Sequence, residues 1–343
     1  MTEEEILSRD LSPKDCAQLP ELLEKVWKHK STENYWQWKL VRYPFQKKAI
    51  IFENRYGHIL GLNAFWLRPT KLGETVLSPW MSTDTMVDPE YRRAGIAQDI
   101  IRMFSSELHK KGTIFGFTNP ISHSMFSKYL KKYMKINSNI PVMIAVINAG
   151  AYINTAKIIK SLVSSLSRSI HRTSLRFIRY RNLTVQQCDE IGEEFDQLWD
   201  NVSDDYFWIQ NRGKNYLNWR YLSAPHRKYQ VWTALEKGKL VGYLVTTIKN
   251  DSKMSRGFLV DWLVPRNRPD IFKVMANAAL DWLINQKVDV VETLLLDHEK
   301  IWNKILKTHF FFKIKRTQSF LLASPYELKV DDLFLTLGDS DQI

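Results

Sequence analysis

The segment with the clearest chemical content in this 343-residue chain is DTMVDPEYRRAGIAQDIIRMF, from Asp84 to Phe104. A predicted strand ends at Val87 and is broken by Pro89. The loop Arg92-Arg93-Ala94-Gly95-Ile96-Ala97 then runs straight into a predicted amphipathic helix. Small residues at Ala94, Gly95 and Ala97 let the backbone approach a ligand closely. Free amides at a helix start, together with the helix dipole, suit phosphate oxygens, and Arg92 and Arg93 add positive charge at the edge. The expectation is an anion site directly after a strand. The pattern is neither G-x-G-x-x-G nor a Walker A loop, which argues against dinucleotide and ATP sites. Two neighbouring residues could move protons: Asp84, on the strand before the loop, and His123, whose imidazole can serve as acid or base. Each also has an ordinary use, Asp84 as a structural carboxylate and His123 as a surface loop residue.

The elements that must position these residues occur twice. CAQLPELLEKVW (Cys16 to Trp27) and CDEIGEEFDQLW (Cys188 to Trp199) both run Cys, ten residues, Trp. YWQWKLVRYP is followed in the second half by YLNWRYLSAP, with Trp38 and Trp219 each six residues before a proline. Trp38 to Gly57 spans 19 residues, as does Trp219 to Gly238, and Trp38 to Gly61 spans 23, as does Trp219 to Gly242. Residue types this rare, recurring in order at fixed spacing, mark two copies of one fold. The boundaries read as 1–150 for the first domain, 151–181 for a linker helix, 182–330 for the second domain and 331–343 for an acidic tail. Each copy is expected to hold a helix, a short aromatic helix stopped by proline, a hairpin, then strand, helix and strand, with a last helix and strand closing it. That order implies an α/β (α+β) class, with a mixed, mostly antiparallel sheet flanked by helices.

The linker holds Lys157, Lys160, Arg168, Arg172, Arg176, Arg179 and Arg181, with no acidic residue between 152 and 181. Ile158, Leu162, Leu166 and Ile170 recur every four residues, a stripe expected to pack against both domains or, alternatively, to touch a membrane surface through 157–181. Net charge is +12, which suits a polyphosphate cofactor, anionic lipid or nucleic acid. No aromatic–basic recognition motif accompanies the charge, so nucleic acid is not expected. Apolar residues make up 44% and charged residues 25%, which excludes global disorder. No apolar run reaches the ~18–20 residues of a membrane span. Two cysteines form neither a disulfide framework nor a zinc site, so no metal is expected. With an acidic N-terminus lacking an apolar core, the expected compartment is the cytoplasm.

Val87-x-Pro89-x-Tyr91-Arg92-x-x-Gly95-Ile96-Ala97 resembles the pyrophosphate-binding motif of the GNAT superfamily, (Gln/Arg)-x-x-Gly-x-(Gly/Ala). The resemblance implies that amides of the loop grip the pyrophosphate of acetyl-CoA or another acyl-CoA. It also implies that backbone near Met86 and Val87 meets the acyl carbonyl and pantetheine arm, and that the strand and loop IFGFTNP, ending with Asn119 and Pro120, splay to admit the acyl group. The Trp-x-Trp-Lys…Pro and Asn-Tyr-Leu-Asn-Trp-Arg-Tyr…Pro blocks resemble two-domain GNAT-like proteins often linked to bacterial surface-polysaccharide biosynthesis. The implied activity is acyl transfer, directly from the thioester, to an amine-bearing acceptor such as an amino sugar or nucleotide sugar. In many such enzymes a tyrosine protonates the departing thiolate. That position here is Phe126, which leaves Tyr129 as the nearest substitute. The second copy, with Pro265 and Pro269 and no glycine after them, departs from the motif. A Fem-like aminoacyltransferase drawing on aminoacyl-tRNA and a non-catalytic acyl-CoA-binding or scaffold protein remain open as alternatives.

Overall fold

The computed structural model describes residues 5–153, 157–176 and 182–341. The first copy contains β1 (Ile6–Asp10), α1 (Leu19–Trp27), α2 (Glu33–Trp36), β2 (Lys47–Asn54), β3 (Ile59–Leu67), β4 (Thr70–Leu72), β5 (Thr75–Leu77), β6 (Trp80–Val87), α3 (Ile96–Lys111), β7 (Ile114–Thr118), α4 (Pro120–Tyr129) and β8 (Met134–Val146). Helix α5 (Lys157–Arg176) follows. The second copy contains β9 (Leu183–Cys188), α6 (Glu193–Val202), β10 (Trp208–Gln210), α7 (Lys214–Leu217), β11 (Tyr229–Glu236), β12 (Lys239–Asn250), β13 (Ser255–Leu263), α8 (Pro269–Asn285), β14 (Val290–Leu294), α9 (Lys300–Thr308) and β15 (Phe312–Ala323).

Twelve of these strands form one sheet, in the order β1-β2-β3-β6-β7-β15-β8-β14-β13-β12-β11-β9. The pairs are antiparallel except β6 with β7 and β13 with β14. This order departs from the sequence-based expectation that each copy closes itself. β15, from the second copy, pairs with β7 and β8, whereas β8, from the first, pairs with β14 and β15. The closing strands are exchanged, because a strand edge pairs with whichever partner the chain's path brings alongside it, and local sequence does not encode that choice. A small sheet, β10-β4-β5, adds a second cross-copy pairing.

The aromatic blocks sit at the centre. After α2 and α7 the chain widens into π turns at Gln37–Val41 and Asn218–Leu222. Trp38 and Trp219 stack at 4.6 Å and 8°. Each indole N–H donates to the other's backbone carbonyl, at 2.9 and 3.0 Å. These two rings belong to one apolar core that runs through both copies, from Phe115 and Met143 to Trp262 and Leu280. The repeated glycines have a packing cause. A Cβ on Gly61 would meet Ile96 at 3.3 Å, and one on Gly242 would meet Ile271 at 2.9 Å. In both copies the first turn of the helix after the central strand presses onto the sheet where only glycine leaves room.

Residues 331–341 do not form a free acidic tail. Leu333, Phe334 and Leu335 are buried in the shared core, and Phe334 N donates to the Trp208 carbonyl at 2.9 Å. Nor does the apolar stripe of α5 face the domains. Ile158, Leu162, Leu166 and Ile170 are exposed, because the opposite, hydroxyl-bearing side of the helix carries the hydrogen bonds to the body.

Exchange of strands makes the halves one cooperative unit. Urea unfolding followed by tryptophan fluorescence and by far-ultraviolet dichroism should give coincident single transitions. Trp219→Ala should lower stability by about 3–5 kcal/mol. A chain cut after residue 150 lacks β15 and should fail to fold alone, as read by proton NMR dispersion.

Candidate active site

β6 and β7 pair only over Trp80–Ser82 and Ile114–Gly116, and then part. The gap beyond them opens into a cavity of about 810 Å³ whose walls come from β6, β7, the loop after α1, the loop Pro225-His226-Arg227 of the second copy and Asp341. One end is apolar, with Ile114, Phe126, Leu130, Met134, Leu321 and Ala323. The other end is charged. Lys39 Nζ lies 2.9 Å from Asp84 and 3.5 Å from Asp341, and it donates to the Tyr35 hydroxyl at 3.2 Å.

Lys39 reaches this point because it follows Trp38 in the π turn, a rare wide turn of the kind that concentrates at functional sites. Burial would lower its pKa, but the charges of Asp84, Tyr35 and Asp341 outweigh that and raise it. It therefore stays an ammonium. Burial pushes the Asp341 carboxyl up to about 6, with Lys39 pulling it down and Asp84 pushing it further up. A carboxyl titrating there can take a proton at neutral pH. Burial also raises the pKa of Tyr35, with Lys39 acting against it.

The loop lies at the C-terminal end of β6. Asp88 caps it by accepting from Glu90 N at 3.0 Å. The amides of Gln98 and Asp99 close the first bonds of α3, both to the Gly95 carbonyl, which leaves the amides of Gly95, Ile96 and Ala97 ahead of the helical ladder. Gly95 has φ +85°, a conformation that side-chain-bearing residues adopt only at a cost. Arg92, Arg93 and Ala94 are exposed and Ile96 is buried as the anchor. The residues present suit a polyphosphate.

The sequence-derived candidates separate. Asp84 and Asn119 line the cavity, and so does Thr118, which sequence reading did not single out. Asn119 also accepts from Ser122 N at 3.0 Å, which starts α4. Met86 is buried in the core with Leu19, Leu22 and Trp36, and Val87 pairs with Gly61. His123 does not line the cavity; its Nδ1 is 3.0 Å from the Thr118 hydroxyl. Tyr129 ends α4, and its side chain lies outside the described residues. Sequence reading missed Lys39, Tyr35 and Asp341. The repeated Trp-(Lys/Arg) pair, Trp38-Lys39 and Trp219-Arg220, carried a signal for Lys39, since a cation held next to a buried tryptophan needs a buried anion. Nothing local marked Asp341.

The second copy shows the same position put to structural use. Asn63 pairs with Thr85, and Leu244, 181 residues on, pairs with Trp262. Asp84 and Asp261 therefore occupy one equivalent place. Asp261 accepts from Arg212 at 3.0 Å, Tyr221 at 3.0 Å, Tyr243 at 2.9 Å and Thr336 at 2.9 Å. The segment Leu337–Asp339 covers it, with Asp339 bonded to Arg212 at 2.7 Å. The loop after β13 is neutralised too, Arg266 by Glu299 and Arg268 by Glu236 and Asp270.

Residues 8–129 match the family model described as an acetyltransferase (GNAT) domain. No curated protein matches the chain. Among solved structures, a GCN5-related N-acetyltransferase from Anabaena variabilis is 12% identical, with 93% of this chain and 72% of that one covered at TM-score 0.64. A tandem GNAT protein from the clavulanic acid biosynthesis pathway is 10% identical over 93% of this chain and 98% of that one, TM-score 0.62. Saccharomyces cerevisiae N-myristoyltransferase with bound myristoyl-CoA is 10% identical over 93% and 79%, TM-score 0.60. The chain thus has the tandem GNAT fold, and its first copy carries the match to the GNAT acetyltransferase domain.

Proposed function

We propose that the first copy is an acyl-CoA-dependent N-acyltransferase acting on an amine-bearing acceptor, and that the acceptor is an amino sugar, free or nucleotide-linked, used in surface-polysaccharide assembly. The observation that carries this reading is the coincidence of two features at one end of β6. A loop suited to pyrophosphate meets a cavity with a charged, proton-accepting side and an apolar side. The amides of Gly95, Ile96 and Ala97, with Arg92 and Arg93, hold the pyrophosphate. Backbone at Met86 and Val87 and the side chain of Asn119 line the path of the pantetheine arm. His226 and Arg227 at the mouth suit a hydroxylated, anionic acceptor. A cytoplasmic setting agrees with the two free cysteines.

The amine must lose a proton before it attacks. Asp341 takes it, because Asp84 is held in the closer ion pair with Lys39 and serves to orient the acceptor. The new bond forms between the amine nitrogen and the acyl carbon, the carbon–sulfur bond breaks, the thiolate leaves with a proton from a phenol, and the phenolate takes the remaining proton from the acylated nitrogen. Tyr129 on α4 and Tyr35 on the cavity wall are the candidates. The apolar end of the cavity favours a second reading of donor length, in which the acyl group is longer than acetyl. Thiol release with acetyl-CoA and decanoyl-CoA compares the two directly.

Gly95→Pro demands φ near −65° where the chain holds +85° and removes an amide. Coenzyme A binding by calorimetry should be lost while the melting curve stays cooperative. Arg92→Ala should weaken binding about tenfold. Wild-type stoichiometry should be one per chain, since the second copy's loop is ion-paired. Two equivalent sites would contradict the assignment.

Turnover should rise with pH through about 6, where Asp341 loses its proton. Asp341→Asn should lower kcat by ~10²–10⁴-fold and flatten that limb. The sign for stability is opposite. A carboxyl whose folded pKa lies above the ordinary value of about 4 costs stability once ionised, so the wild type should lose stability between pH about 4 and 6 and the Asn variant should not.

Tyr129→Phe and Tyr35→Phe identify the proton donor. The variant that loses turnover ~10²–10⁴-fold with unchanged coenzyme affinity marks it. Full activity in both, measured by thiol release, would move that step to water.

A further inference from the structure

Helix α5 is amphipathic in the reverse sense for a packed helix. Ile158, Leu162, Leu166 and Ile170 are 75%, 66%, 64% and 51% exposed, and Ile159 is 48% exposed. At 3.6 residues per turn these five positions share one side. The opposite side bears hydroxyl and imidazole groups, and these fasten the helix to the body. Ser167 Oγ donates to the Ile147 carbonyl at 2.9 Å and accepts from Ala149 N at 3.2 Å. His171 Nε2 is 2.9 Å from the Val146 carbonyl. Ser164 turns to its own helix, donating to the Lys160 carbonyl at 2.7 Å. Polar bonds thus hold the helix down while its leucines and isoleucines face water, an arrangement that costs solvation free energy unless something covers the face.

The charge next to the stripe says what covers it. The exposed Arg172 flanks it, and 152–181 holds seven basic residues and no acidic one. Arg172 donates to the uncharged Asn285 at 2.7 Å, so its charge is not cancelled by that contact. Phe310 extends the apolar surface at the helix's later end, 46% exposed and 5.0 Å from the His171 ring. A second copy docked through the same face about a two-fold axis would bring the two basic flanks together with no carboxylate from this segment between them. An apolar stripe with an exposed arginine at its border, on a segment without acidic residues, fits an anionic bilayer surface, with the apolar side chains entering the acyl boundary and the basic groups meeting phosphates.

We propose that α5 lies in the interface of an anionic membrane and holds the protein there as a peripheral, non-spanning protein. The test is co-sedimentation of the full chain with phosphatidylcholine vesicles containing about a third phosphatidylglycerol, against pure phosphatidylcholine. Wild-type protein should sediment with the anionic vesicles and lose most binding in high salt. Leu162→Ser with Leu166→Ser should lower the partition about tenfold or more. Arg172→Gln should lower it about fivefold. Leu162, Leu166 and Arg172 are exposed, and circular dichroism should show unchanged folding. No binding to anionic vesicles would overturn the proposal, as would equal binding by the leucine variant. A dimer in light scattering that the leucine variant breaks, without lipid binding, would assign the face to a second copy instead.

Discussion

The reciprocal pair of Trp38 and Trp219 is the contact on which the arrangement of the molecule depends. Each ring stacks on the other, and each N–H ends on the other's carbonyl. A buried indole N–H left without a partner costs about 1–3 kcal/mol, so the pair fixes both distance and orientation between the copies. It also holds the two π turns face to face. Those turns deliver Lys39 to one side and Arg220 to the other, both buried. The tryptophans that join the copies are therefore adjacent in sequence to the cations that differ most in what they do.

Duplication supplies a frame, and the C-terminal segment breaks its symmetry. In the second copy Arg220 donates to the Ser340 carbonyl at 2.7 Å, and Thr336 and Asp339 complete a closed network with Arg212 and Asp261. Buried charges persist only when paired and hydrogen-bonded, and here each carboxylate has several donors. The same segment then places Asp341 beside Lys39 in the first copy. One stretch of chain seals one equivalent position and furnishes a carboxylate to the other. Arg68, fully buried, bridges the two regions by donating to Gln210 at 2.8 Å and stacking 3.7 Å over Tyr216.

Much of the architecture was legible in the sequence because its signals are local. Glycines at 57 and 238 take φ +79° in matching turns, prolines end the aromatic helices, and helical spacing in α1 and α6 reads directly as a buried face. The form of the loop after β6 was legible for the same reason. Arg92 to Ala97 is contiguous, and a strand followed by small residues and a helix start has little freedom of form. The repeat was legible because it conserves spacing between rare residue types, which survives when most other positions have changed.

What the sequence determined by itself was thus the repeated unit, the helices and hairpins within it and the loop after β6, each set by interactions among residues near one another in the chain. Only the tertiary structure decided that β8 and β15 trade places, that α5 turns its leucines outward, and that Lys39, Asp84 and Asp341 meet across up to 302 residues of chain. Strand pairing is made by backbone groups that every residue carries, so its partner choice leaves no local mark. The stripe of α5 reads identically whether it faces core or solvent, since periodicity reports that a helix has two faces and not which one is covered. Asp341 looks like solvated charge in a run of acidic residues, and it came to line the cavity beside Lys39 only when the chain passed through the second copy into the first.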